Sequence, residues 1–280
     1  MRKFNRVAII GVGLIGGSIG LAVRRHRLAK EVVGVCRTAH SLKLAKKRGA
    51  IDSGTTRLSQ AVRGSDLVIL ATPVSVMHPL VRQMTPHLSP GCLVTDVAST
   101  KHEIIRNLET IFPPDIFFVG SHPLAGREKA GVAYAAADLF QNAPCFVVPT
   151  RRSDPRSIRR ISLFWKALGG NVICVRAKQH DAMVSKVSHL PHIAAALLVL
   201  EGGGTPWVGS GFLDATRIAS SDPSLWRDIL LSNRLQILKA LRRFRRRLDG
   251  MAALLEKRDG GAILRQIQKA KQLRDRRIVR

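Results

Sequence analysis

The chain has 280 residues, 45% of them hydrophobic, which is enough to build one or two cores and too apolar for a disordered protein. Its 46 Lys+Arg against 19 Asp+Glu give a formal charge of +27, which attracts anionic ligands and says nothing about fold. The four scattered cysteines, Cys36, Cys92, Cys145 and Cys174, form no C-x-x-C pair. Neither a zinc site nor a disulfide framework is therefore expected; reduced thiols in a cytoplasmic protein are.

The N-terminus, "MRKFNR" followed by "VAIIGVGLIGGSIGLAV", imitates a signal peptide, but five glycines between Gly11 and Gly20 weaken it as a membrane helix. The second apolar run, ending at Leu200, reads as too short to span a bilayer, so no membrane association is expected. Seven short β-branched runs alternate with amphipathic stretches: "RVAIIG", "EVVGV", "DLVILA", "CLVTDV", "IFFVGS", "APCFVVP" and "NVICV". Such a pattern predicts an α/β fold, a largely parallel sheet covered on both faces. The alternation stops near Val175, and the remainder reads as helix with one glycine-rich break, "GGGTPWVGSGF". We expect a Rossmann-type dinucleotide-binding domain over residues 1–175 and an all-helical domain over 176–280.

After the first run comes Gly11-Val12-Gly13-Leu14-Ile15-Gly16, with the G-x-G-x-x-G spacing. In a strand–turn–helix context Gly11 allows the tight turn, Gly13 the approach of a pyrophosphate, and Gly16 close packing of helix on strand. Leu14 and Ile15 open the helix whose N-terminus would face that anion. An NAD site wants Asp or Glu at the end of the second strand; "VVGVCRTAH" places Cys36 and Arg37 there. A guanidinium suits a ribose 2′-phosphate, so NADP is favoured over NAD; the alternative is that Arg37 stacks on adenine or faces water.

Three polar clusters follow later strands, on the side where ligands bind in such sheets. "ATP" offers Thr72 and Pro73 to the cofactor, "DVASTK" places Ser99 and Lys101, and "GSHPLAGREKAG" places His122 and Glu128. A neutral His122 is suited to take the proton from a substrate hydroxyl as hydride leaves the same carbon, with Ser99 orienting that hydroxyl. The bland readings are that His122 caps a loop and that Ser99 caps the helix beginning near Lys101. Farther on, "VSHLPHIAAALLVL" carries His189 and His192, three apart around Pro191. The pair lacks the Glu and the spacing of a zincin motif, and no third ligand stands nearby, so no metal is expected.

The motifs "GVGLIGGS", "ASTK", "SHPLAGREKAGV", "VSHLPH" and "GFLDATRIASSDPSLWRDILLSN" together resemble the prephenate/arogenate dehydrogenase family of tyrosine biosynthesis. The resemblance runs in family order from near residue 6 to beyond 240. It implies a nicotinamide-binding α/β domain followed by a helical domain that forms a homodimer. It also implies oxidative decarboxylation of prephenate, or alternatively of arogenate, with His122 and Ser99 as catalytic residues. Arg217 would grip the side-chain carboxylate, His192 and Ser188 would contact substrate oxygens, and Glu128 would shape the polar wall; His189 remains either a substrate neighbour or a structural one. Leu213 and Arg127 depart from the family pattern, and Arg127 favours prephenate over the ammonium-bearing arogenate. The distant alternative is a basic nucleic-acid-binding protein on a retained Rossmann scaffold. However, the late arginines of "LKALRRFRRRLDG" and "LRDRRIVR" read as solvated helix faces, and with 5% aromatic residues no base-stacking platform is evident, so nucleic acid is not an expected partner.

Overall fold

A computed structural model describes residues 3–126 and 129–278. The chain divides between Arg234 and Leu235 into two compact units. The first begins with β1 (Phe4–Ile10), α1 (Leu14–Arg25), β2 (Ala29–Val35), α2 (Ala39–Lys47), β3 (Ser53–Thr55) and α3 (Leu58–Val62). It continues with β4 (Leu67–Leu70), α4 (Val74–Met84), β5 (Leu93–Asp96), α5 (His102–Leu108) and β6 (Phe117–Pro123). Then come β7 (Pro144–Pro149), α6 (Pro155–Ala167) and β8 (Asn171–Cys174). From α7 (Ala177–Val184) onward the unit is helical: α8 (Leu190–Gly202), α9 (Ser210–Thr216) and α10 (Pro223–Ser232). The second unit consists of the body of α11 (Arg234–Glu256) and α12 (Gly260–Ile278), joined by a turn in which Arg258 has φ 51°.

All eight strands form one sheet in the order β3-β2-β1-β4-β5-β6-β7-β8. The first six are mutually parallel; β7 runs antiparallel to β6, and β8 follows β7 in parallel. The strand β3, "SGT", is absent from the seven runs read in the sequence. It is three residues long and only partly buried, and so carries no apolar run to announce it. The order 3-2-1-4-5-6 reverses direction between β1 and β4, and the crevice beyond their carboxyl ends is where ligands bind in open α/β sheets.

The strands are apolar on both faces because both are covered. Val7 and Ile9 point into one layer with Ile19, Val23, Phe164 and Trp165 from α1 and α6. Ala8 and Ile10 point into the other, with Met77, Val81, Ile104 and Leu108 from α4 and α5. That two-sided burial is why continuous runs replace alternation. Cys36, Cys92 and Cys145 are buried, Cys174 is exposed, and all four are free thiols.

Between α7 and α8 lies one π-turn, Ser185–His189. Pro191 stands two residues after it; lacking an N–H and crowding the preceding turn, it cannot continue an unperturbed α pattern, and a widened turn relieves the clash. The result is one continuous helical run, Ala177–Gly202, of 26 residues. The expectation that the apolar run ending at Leu200 is too short to span a bilayer is thereby corrected: by length and composition alone this run suffices. A core helix passes the same test, however, and the first half of this one buries His180, Asp181 and His189 in a polar network.

Candidate active site

The turn after β1 explains its glycines. Gly11 has φ 96°, and a Cβ there would lie 2.6 Å from the Ala71 carbonyl oxygen. A Cβ at Gly16 would collide with the Gly11 carbonyl oxygen, so α1 starts where it does only without one. Gly13 is different: a Cβ there would meet nothing within 4 Å. As N-cap of α1 it offers no side chain, leaving the first-turn amides of Leu14 and Ile15 toward that open space. Beyond β4, the buried Thr72 Oγ1 has no hydrogen-bond partner among the described residues, and Pro73 stands exposed as N-cap of α4. Open space at Gly13, uncapped amides and an orphaned hydroxyl across the switch point fit a dinucleotide. At the end of β2 Arg37 is exposed, and Thr38 Oγ1 is already engaged, accepting from the Ser41 amide at 3.2 Å as cap of α2.

His122 sits near the end of β6, opposite Phe146 of β7, and is buried. Its Nδ1 lies 2.8 Å from His180 Nε2, and His180 Nδ1 lies 2.8 Å from Asp181 Oδ1. An ionised carboxylate only accepts, so His180 carries its proton on Nδ1 and offers a lone pair at Nε2. His122 must then donate from Nδ1, which leaves its Nε2 as the basic nitrogen. The tautomer of His122 is therefore set by Asp181, acting through His180. Burial works against the Asp181 carboxylate, but His180 and the backbone amides of His102 and Lys101 hold it below its ordinary range. Burial above all, then the neighbouring His180, Lys101 and His189, lowers His122 well below 6.5 and keeps it neutral.

Asp181 does a second thing. Its carboxylate accepts from the amides of Lys101 at 2.8 Å and His102 at 2.9 Å, capping α5 from another helix. The reading of Ser99 as cap of that helix is thus not what the structure shows; Ser99 is half-buried in the loop between β5 and α5. The alternative of His122 as a loop cap also falls, since its partner is His180.

His189 is fully buried, with Asn233 Nδ2 donating to its Nδ1 at 3.2 Å and to the Asp181 carbonyl at 2.9 Å. Burial lowers it to about 4, so it is a neutral link between the π-turn and α7. His192 stacks on Trp226 of α10, with ring centroids 3.4 Å apart and planes 22° from parallel, and its buried Nε2 has no partner among the described residues. Burial lowers its pKa, against the pull of the Ile218 backbone. Ser188 is half-buried in the π-turn, and Arg217 is exposed in the short turn after α9, next to Ile218. Glu128 and Arg127 lie outside the described residues.

Sequence reasoning missed His180, Asp181, Asn233 and Trp226. In "AKQHDAMV" the first two look like ordinary polar residues of an opening helix turn. The one available signal was their adjacency in the turn that leads into the apolar run ending at Leu200.

A doubly covered parallel sheet, a glycine turn open to a pyrophosphate, and a histidine of fixed tautomer at a neighbouring strand end define a nicotinamide-dependent oxidoreductase. Residues 19–174 match the family model described as prephenate dehydrogenase, nucleotide-binding domain, and residues 176–269 match prephenate dehydrogenase, dimerization domain. The chain belongs to the prephenate dehydrogenase family. It is 37% identical to the prephenate dehydrogenase of Lactococcus lactis subsp. cremoris (strain MG1363), covering 96% of this chain and 77% of that protein. A crystal structure of prephenate dehydrogenase from A. aeolicus in complex with hydroxyphenyl propionate and NAD+ superposes with a TM-score of 0.90 at 33% identity, covering 96% of this chain and 97% of that one. That of Synechocystis arogenate dehydrogenase gives 0.83 at 29%, covering 97% and 99%.

Proposed function

We propose that this protein is a prephenate dehydrogenase that converts prephenate to 4-hydroxyphenylpyruvate and carbon dioxide with NADP in preference to NAD. The observation that carries the reading is the His122–His180–Asp181 chain, which presents a neutral imidazole with its lone pair on Nε2.

The oxidised nicotinamide, when bound, supplies the acceptor for the hydride from the hydroxyl-bearing ring carbon. Gly11, Gly13, Leu14, Ile15, Gly16, Thr72 and Pro73 would hold the dinucleotide, with Arg37 on the 2′-phosphate. His122 takes the hydroxyl proton at Nε2, and the resulting imidazolium is stabilised through His180 by the Asp181 carboxylate. Ser99 orients the hydroxyl. Arg217 holds the side-chain carboxylate, a planar fork meeting a planar anion, while His192, Ser188 and Glu128 line the rest of the substrate. Decarboxylation with aromatisation drives the reaction, so the protein needs to supply positioning and a proton acceptor. We assign residues 1–175 to the dinucleotide-binding domain and 176–280 to a helical substrate and dimerisation domain, active as a cytoplasmic homodimer.

The test is the initial rate of reduced-nicotinamide formation by the purified protein. A prephenate-dependent rate, faster with NADP than with NAD, is expected. A rate with arogenate alone would replace the substrate, and no rate with either substrate and either cofactor would overturn the reading.

A further inference from the structure

Bonded to the backbone next to the candidate base is a charged pair that the mechanism above does not use. Lys101 and Asp96 are both fully buried, and the Lys101 ammonium is bonded to Asp96 Oδ2. The same ammonium donates to the carbonyl oxygens of Ala98 and Thr100, each at 2.9 Å. Those are the residues on either side of Ser99. The carboxylate is equally occupied: it accepts from the Ala98 amide at 3.0 Å and from the Ser121 amide, beside His122, at 3.1 Å.

Burying an ion pair in a domain core is costly, and a well-packed apolar pair would often serve stability as well or better. The lysine stem also needs room. It crosses β6 at Gly120, where a Cβ would stand 3.2 Å from Lys101 Cδ and 3.2 Å from the Val148 carbonyl oxygen. A glycine in the middle of a buried strand, an ammonium with three protein acceptors and a serine loop wrapped around it form one unit.

We infer that Lys101 is a positioning residue: its ammonium folds the loop that presents Ser99 and sets the charge beside the His122–His180 pair, to which its backbone is tied through the Asp181 carboxylate. The inference rests on the proposed function for what Ser99 and His122 do, and on this geometry for the rest. The charges around His122 come from every side. His180 of α7 bonds it directly and is bonded in turn by Asp181, His189 stands in the π-turn, and Lys101 with Asp96 belongs to β5 and its loop, Asp96 holding the Ser121 amide next to His122. β7 brings Phe146 and the Cys145 thiol, pushed far up by burial and so uncharged. The Lys101 charge works to lower both His122 and His180, and the Asp96 carboxylate works to raise His180.

The experiment exploits the two ends of the pair, because a merely structural brace would suffer alike from losing either. Lys101→Met leaves the carboxylate alone, which favours imidazolium; the acid limb of kcat/KM for prephenate should move up by about one pH unit. Asp96→Asn leaves the cation alone, and the limb should move down or stay. The double variant removes both charges, and its limb should lie above that of Asp96→Asn; this comparison stands even where Lys101→Met does not fold. The His122 ring proton shift, followed by NMR on histidine-labelled protein through the same pH range, reads the same order without turnover. If wild-type protein fails to oxidise prephenate, the proposed function falls while the NMR order still decides this inference. Limbs and ring titrations that coincide in all variants, or move together, would overturn it.

Discussion

His122 and His180 lie 58 residues apart in the chain and meet ring nitrogen to ring nitrogen at 2.8 Å, with Asp181 closing the far end. The contact makes a helix-borne carboxylate the determinant of which nitrogen on a strand-borne imidazole is basic. Replacing Asp181 with Asn therefore reaches His122 without touching it. Asn can donate as well as accept, so the chain can reverse and place the proton on His122 Nε2. We expect kcat to fall by roughly 10²–10⁴-fold, the usual worth of a positioned base, with KM for prephenate moving far less. A kcat within a few-fold of wild type would remove Asp181 from the mechanism.

Burial first of all lowers His122, His180, His189 and His192, each against an ordinary value of 6.5. Below 6.5 the unfolded chain takes up protons that the folded chain refuses, so stability must fall as pH drops through that value toward the folded ones. For His189, which reaches about 4, the loss approaches about 3 kcal/mol at the acid end. Calorimetry from about pH 8 to about pH 5 should show Tm declining below about pH 6.5, less steeply in His189→Gln, which keeps an acceptor for Asn233 without titrating. A Tm that is flat or rises over that interval would contradict the neutral assignments.

Arg37 is the one guanidinium at the end of β2 assigned to the 2′-phosphate. A charge-assisted pair of this kind contributes about 1.5–3 kcal/mol, so Arg37→Ala should weaken NADP by roughly 10–100-fold and NAD by much less. Fluorescence titration with each reduced cofactor measures this directly. Equal losses for both would leave Arg37 on the adenine face.

Gly16→Ala forces a methyl into the Gly11 carbonyl oxygen, backbone against backbone, where no rotamer offers relief. We expect a loss of about 1–3 kcal/mol in chemical denaturation together with weakened cofactor binding. Gly13→Ala, pointing into open space, should leave stability within about 0.5 kcal/mol while still weakening the dinucleotide. Equal destabilisation by the two would mean that Gly13 is not the open position.

Trp226 supports His192 by stacking alone, across 3.4 Å between ring centroids. Trp226→Leu keeps an apolar side chain but frees the imidazole, so KM for prephenate should rise by roughly 2–10-fold, an aromatic pair being worth about 0.5–1.5 kcal/mol, with kcat less affected. An unchanged KM would place His192 outside the substrate site.

What the sequence determined by itself was everything that periodicity and short-range spacing can carry. Two-sided apolar runs announced a covered parallel sheet, glycine spacing announced the turn after β1, and the end of the alternation near Val175 announced the helical part. Placing Ser99 and His122 near the carboxyl ends of β5 and β6 followed from the same local logic, because the change from an apolar run to polar residues marks where a buried strand stops. Only the tertiary structure decided which groups set their chemistry. Asp181 reaches Lys101 across 80 residues to cap α5, and the Lys101 side chain, written as one more cation in a chain of charge +27, is fully buried against Asp96. No local pattern distinguishes a lysine destined for the core from one destined for solvent. The difference is made by a carboxylate and two carbonyls that converge only when β5, β6 and α7 pack, and by the missing Cβ at Gly120 that gives the stem its passage.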